Sequence, residues 1–111
     1  MLYDTVVRYC NCYKPHVIFL VYKDTESLIT DAVFHNLKNK HKHKIGNTII
    51  NLCTNDSKGV GRGSEPTCVL FEDLNIQSEA YKTLAPAITK LGLKDTLISD
   101  NPKYTFFWSR I

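Results

Sequence analysis

The sequence predicts an α+β fold: a ferredoxin-like split βαβ arrangement, βαββαβ, with an extra N-terminal strand. Two observations lead to this prediction: short β-favouring apolar runs alternate with two segments of helical periodicity, and a long turn-rich stretch separates two of the runs. Right-handed crossovers would then place both helices on one face of a mainly antiparallel sheet. The other face would stay open to solvent or a partner.

The composition is that of a folded globular protein. Of its 111 residues, 43% are hydrophobic and 23% are charged, unlike the low-hydrophobicity, high-charge composition of disordered chains. This length predicts a single domain over residues 1–111. The longest apolar run, 17–21, is far shorter than the roughly 20 residues of a membrane-spanning helix. The N-terminus has no secretory pattern, so we expect an intracellular, cytoplasmic protein with free thiols and no membrane partner.

Two strands are predicted before the first helix. Residues 2–9 contain Thr5, Val6 and Val7, which favour strands, and form the predicted extra strand. After Pro15, the continuous apolar run at 16–23 is typical of a central, buried strand.

The first helix is predicted to begin after Asp24 or Thr25, either of which is a suitable N-terminal cap. Gly46 lies beyond its predicted end. Its apolar positions recur every three to four residues: Leu28, Ile29, Ala32, Val33 and Leu37.

The second half is predicted to contain a strand pair, a helix and a last strand. Residues 47–54 and 67–72 form an antiparallel pair joined by the turn-rich loop between them. A helix carrying Tyr81, Leu84, Ile88 and Leu91 on one stripe follows. Pro86 is expected to kink or split that helix.

The last strand, 103–110, is rich in aromatic residues. Tyr104, Phe106 and Trp108 alternate onto one face, while Phe107 lies on the other. Burying the larger set stabilises the fold more, so we expect these three in the core and Phe107 exposed. The reverse arrangement would leave three aromatic side chains on the open face.

Positive charge is concentrated in one stretch of the chain. The formal net charge is +3, but residues 38–62 carry six cations against the single acidic Asp56, which is +5. The six cations are Lys38, Lys40, Lys42, Lys44, Lys58 and Arg62. A basic helix end and a glycine-rich basic loop would bind phosphates of nucleic acid without sequence preference. In the alternative interpretation, the lysines complement a helix dipole and the loop is a flexible hairpin connection.

One resemblance bears on nucleic acid. Residues 18–20 resemble the aromatic-bearing first strand of RNA-recognition motifs, and residues 56–73 resemble their glycine-rich loop and third strand. The family's stacking aromatic positions fall on Pro66 and Cys68, so the resemblance is one of topology and predicts no base stacking by this strand.

A zinc site is the weaker alternative. Cys10, Cys12 and His16 offer ligands that zinc prefers, but structural sites usually separate paired cysteines by two to four residues. Cys53 and Cys68 are interpreted as core residues. No catalytic motif is found, and no cofactor is predicted.

Three hypotheses follow. The first is a small non-catalytic nucleic-acid-binding protein. The second is a protein-interaction or inhibitor module, including a homodimer formed through an open sheet face or edge strand. The third is a small enzyme or zinc-binding protein.

Overall fold

A computed structural model describes residues 2–37, 41–60, 65–91, 94–95 and 103–108. In this part of the chain there are three helices and six strands. They are α1 (Leu2–Tyr13), β1 (Val17–Tyr22), α2 (Thr25–Phe34), β2 (Lys42–Ile45), β3 (Thr48–Thr54), β4 (Cys68–Glu72), α3 (Glu79–Leu91), β5 (Lys94–Asp95) and β6 (Tyr104–Trp108).

The strands form one mixed sheet in the order β2-β3-β1-β4-β6-β5. The central strand β1 is parallel to both neighbours, β3 and β4. The three outer pairings are antiparallel. β1 is apolar throughout and buried from Ile18 to Tyr22, as expected for a strand covered on both faces.

Helices cover both faces of the central strands. Ile18 and Leu20 of β1 pack with α1 and with Leu28 of α2 in one hydrophobic cluster, which we call the α1-side core. Phe19 and Val21 pack with α3 in a second cluster, the α3-side core. The structure is therefore a three-layer arrangement, with the sheet between α1 and α2 on one side and α3 on the other.

The predicted N-terminal strand is wrong, because residues 2–13 form helix α1. Leu2, Val6, Tyr9 and Cys10 are buried in the α1-side core, and their spacing is helical rather than alternating. The helix ends at Tyr13, and the next residue, Lys14, has a φ of +48°. Burying this stripe against the sheet outweighs the β-propensity of the local residues.

The strands at 47–54 and 67–72 are present, but they do not pair with each other. β3 and β4 lie on opposite sides of β1, and β6 lies next to β4 rather than β1. A connection of about a dozen residues is what parallel strands require, and residues 55–67 provide it.

The predicted α+β class is confirmed. The ferredoxin-like strand order is wrong, and with it the topological resemblance to RNA-recognition motifs, because the last strand lies beside β4. The prediction of helices on one face and an open second face is also wrong, because helices cover both faces.

Helix α2, which is the first helix that the sequence predicts, begins as predicted. It ends earlier than the position of Gly46 implied. The Ser27 backbone N–H donates to Asp24 Oδ1 at 2.8 Å, so Asp24 is the N-terminal cap. The helix ends at Phe34, and Asn36 has a φ of +55°. β2 then pairs with β3 through a tight turn at Gly46 (φ +58°), a conformation that favours glycine.

Helix α3 and strand β6 occur where the sequence predicts them. α3 is one helix that contains Pro86 rather than two. Tyr104 and Phe106 are buried in the α1-side core and Trp108 packs against it, as expected. Phe107 is half-buried against the α3-side core rather than exposed, because α3 covers that face.

None of the helices in the described ranges is both long and apolar enough to cross a membrane.

Candidate functional site

Three of the six predicted phosphate-binding side chains lie in the described part of the chain. Lys42 and Lys44 are exposed on β2, and Lys58 is exposed in the connection that follows β3. The other three, Lys38, Lys40 and Arg62, lie outside the described residues.

The two lysines of β2 point to the α3 side of the sheet. Lys42 is opposite Asn51 and Lys44 is opposite Ile49, and directly opposed residues share a face. Ile50 belongs to the α1-side core, so alternation along β3 places its neighbours Ile49 and Asn51 on the α3 side. His43 faces the other way, with its ring centroid 5.8 Å from that of Tyr3.

The described start of the connection bearing Lys58 packs on the same side. It leaves the carboxyl end of β3 and must reach the start of the parallel strand β4, across β1. Val60, within this connection, packs against the α3-side core. The two lysine-bearing segments therefore border one side of the sheet, and we call Lys42, Lys44 and Lys58 the basic face.

A helix dipole does not account for Lys42 and Lys44. α2 ends at Phe34, and both lysines lie in a strand. β2 is, however, at one end of the sheet, and lysines on edge strands discourage edge-to-edge aggregation. Phosphate binding and edge protection predict different responses to salt and to a polyanion.

The zinc candidates do not converge. Cys10 and Cys12 lie on helix α1, where residues two apart point to different sides. Cys10 is buried and its pKa is raised mainly by that burial, whereas Cys12 and His16 are exposed. Within the described ranges, no group of three or more His, Cys, Asp or Glu side chains is arranged to hold a metal ion.

A cavity that sequence reasoning missed lies at the carboxyl ends of β1 and β4. Its volume is about 410 Å³, and we call it the polar cavity. It is lined by Leu2, Lys23, Asp24, Glu26, Ser27, Thr30, Asp31, Glu72 and Tyr104.

Asp31 is the most buried charged residue of this cavity, with 3% exposure. Its Oδ2 accepts hydrogen bonds from the Tyr3 backbone N–H at 2.9 Å and from the Tyr22 hydroxyl at 2.8 Å. Burial, followed by the charge of Asp31, raises the pKa of Tyr22, so the hydroxyl stays protonated and keeps donating. The other carboxylate oxygen of Asp31, Oδ1, has no hydrogen-bond partner in the described structure.

Glu72 is held in place at the end of β4. Its Oε1 accepts a hydrogen bond from the Lys23 backbone N–H at 3.1 Å and another from the Ser27 hydroxyl at 2.6 Å. The side chain thereby ties the end of β4 to the start of α2. Both carboxylates, Asp31 and Glu72, are positioned by donors from other elements.

A sequence signal for Asp31 does exist. Leu28, Asp31, Ala32 and His35 recur at intervals of three and four residues, which defines one face of a helix. Leu28, Asp31 and Ala32 are the buried residues of α2. A carboxylate on the buried stripe of a short helix requires partners, and therefore marks a site.

Comparison with known proteins returned no matching protein family, no matching curated protein and no matching solved structure.

Proposed function

We propose that this protein is a non-catalytic nucleic-acid-binding protein that contacts phosphates through its basic face, without sequence preference. The observation that supports the proposal is that Lys42 and Lys44 of β2 lie on the side of the sheet against which Val60 packs, two residues after the exposed Lys58. Lys38, Lys40 and Arg62 belong to the same two basic stretches of the sequence. We include them in the proposed contact set.

The physical basis is release of counterions from the nucleic acid. Each phosphate neutralised by a lysine or arginine releases condensed cations, so the logarithm of affinity falls linearly with the logarithm of salt concentration. For duplex DNA the slope is about −0.9 per phosphate contact, which gives about −5 for six contacts. Exposed ammonium groups satisfy the only chemical requirement of this kind of binding.

The test is fluorescence anisotropy with a labelled mixed-sequence duplex, from about 50 to about 200 mM salt. The double variant K42E/K44E is expected to weaken binding at least tenfold and to make the salt slope shallower by about 2. The control R8E/K14E makes the same charge change at exposed positions in and just after α1. It is expected to change affinity much less.

Two results would contradict the proposal. One is absence of binding by the wild-type protein at low salt. The other is an equal loss in both double variants, because that would reflect net charge alone and leave edge protection as the explanation of Lys42 and Lys44.

A second candidate function, a self-associating protein-interaction module, rests on an apolar patch of α2. Ile29, Val33 and Phe34 are 38%, 67% and 65% exposed, and exposed apolar clusters mark interaction sites. Size-exclusion chromatography with light scattering at low and high salt tests it. A salt-insensitive dimer that V33D dissociates would favour this function, whereas a monomer under both conditions would oppose it.

A further inference from the structure

We propose that the polar cavity binds the ammonium group of a small organic cation. This inference does not depend on the proposed function, because it rests on different residues: Lys42, Lys44 and Lys58 of the basic face are not among those that line the cavity.

The position of the cavity is one at which ligands bind in sheets with parallel strands. β1 and β4 are adjacent and parallel. The chain leaves β1 into α2, on the α1 side, and leaves β4 into α3, on the other side. Where neighbouring parallel strands connect to opposite faces, a crevice opens at their carboxyl ends. A volume of about 410 Å³ is large enough for a small molecule.

Glu72 provides a preorganised acceptor in this crevice. Two hydrogen bonds, from the Lys23 N–H and the Ser27 hydroxyl, hold its Oε1. The carboxylate is half-buried and lines the cavity. An ammonium group that reaches it would make a charge-assisted hydrogen bond without reorganising the side chain.

Asp31 supplies a buried carboxylate with one oxygen that accepts no hydrogen bond. Its side chain is 4% exposed and lines the cavity, and its Oδ1 lacks a hydrogen-bond partner among the residues described. His35 Nε2 is 4.0 Å from this oxygen and lies closer, at 3.1 Å, to Asp4 Oδ1. A buried carboxylate with an unsatisfied oxygen is costly. Positive charge in the cavity would offset that cost.

The charges of the lining select the sign of the ligand. Four carboxylates and one lysine line the cavity, so cations are attracted and anions repelled. The N-terminus of α2 would otherwise favour an anion. Asp24 already caps that end and Glu26 lies in its first turn, which leaves little for an anion to gain.

The donor set favours an organic ammonium over a metal ion. In the part of the chain that the structure describes, no three ligating side chains are grouped for metal coordination. An ammonium group has three N–H donors, which can donate to oxygens that lie apart and already accept other hydrogen bonds. Glu72 and Asp31, held apart by different elements, meet that requirement.

The experiment is isothermal titration calorimetry of the full chain with putrescine, with butanediol as the uncharged analogue. Putrescine is expected to bind and butanediol not to bind. E72Q is expected to weaken putrescine binding at least tenfold, because it removes the charge and keeps an oxygen for Ser27. The matched control E79Q, at an exposed position of α3 outside the cavity lining, is expected to leave binding unchanged.

A second variant protects the test against misfolding. D31N retains an oxygen for Tyr22, and circular dichroism checks that both variants fold. Loss of putrescine binding in folded D31N or E72Q supports the proposal. No putrescine binding at millimolar concentration, equal weakening by E72Q and E79Q, or preferential binding of inorganic phosphate would overturn it.

Discussion

At the residue scale, Asp31 joins three elements through one carboxylate. It belongs to α2, accepts from the backbone of α1 at Tyr3, and accepts from β1 through the Tyr22 hydroxyl. Both hydrogen bonds are buried, so removing the carboxylate would leave two buried donors without their acceptor. Asp31 therefore stabilises the attachment of α1 in addition to lining the cavity.

Replacing Asp31 by alanine is expected to lower the free energy of unfolding by about 2–4 kcal/mol, because two buried donors lose their acceptor. Y22F removes one of the donors and is expected to cost less. E65A, at an exposed position, is the control and is expected to stay within about 0.5 kcal/mol of wild type. Denaturant titration measures all three. Equal stability of D31A and E65A would contradict the assigned role.

At the element scale, α1 and β2 show where tertiary contacts override local preference. Thr5, Val6 and Val7 favour a strand, yet Val6 is fully buried in a helix against the sheet. The lysine-rich residues of β2 have little β-propensity, but Ile45 packs against the α1-side core and the strand pairs with β3. In both elements, burial against distant residues determines the conformation.

α3 tolerates Pro86 at an exposed position in its interior. P86A restores a backbone donor and a good helix former, so we expect stabilisation by roughly 1–3 kcal/mol. The measurement is the denaturant midpoint, with circular dichroism to follow helix content. The neighbouring A85G is the control and is expected to destabilise by about 1 kcal/mol. Unchanged or reduced stability of P86A would show that α3 is adapted to the proline.

At the scale of the whole molecule, buried thiols lie on both sides of the sheet. Cys10 and Cys68 belong to the α1-side core and Cys53 to the α3-side core. Burial raises the pKa of Cys53 from 9.0 to about 12 and raises that of Cys68 well above its ordinary value. In the unfolded chain these thiols have their ordinary pKa of 9.0. They therefore ionise more readily in the unfolded chain than in the folded protein, and their ionisation opposes folding.

Stability is therefore expected to fall as pH rises above about 9, by about 1.4 kcal/mol per pH unit for Cys53. Stability falls with rising pH because the pKa of Cys53 is higher in the folded protein than in the unfolded chain. The stabilisation from the protonated thiol is complete below pH 9 and is lost as the pH rises toward 12. Denaturant titrations at successive pH values measure this slope. C53V is expected to make the slope shallower, whereas C12A, at the exposed thiol, is not. An identical slope in C53V and wild type would contradict the prediction.

The core strands and two helices could be predicted because their patterns are local. The apolar run of β1, the cap at Asp24 and the periodicity of α3 depend on residues close in sequence. The strand pairings could not be predicted, because β3 and β4 have the same composition whether they pair with each other or with β1. The polar cavity was missed for the same reason, because only the order of strands in the sheet brings Asp31 and Glu72 to the same cavity.

The sequence by itself determined the α+β class, the places of β1, β3, β4, α3 and β6, and the clustering of positive charge. Only the tertiary structure decided the helical state of α1, the sheet order, the side to which Lys42 and Lys44 point, and the cavity at Asp31 and Glu72. The physical reason is the range of the interactions. Propensity and periodicity act over a few residues, whereas burial and strand pairing join residues that are tens of positions apart.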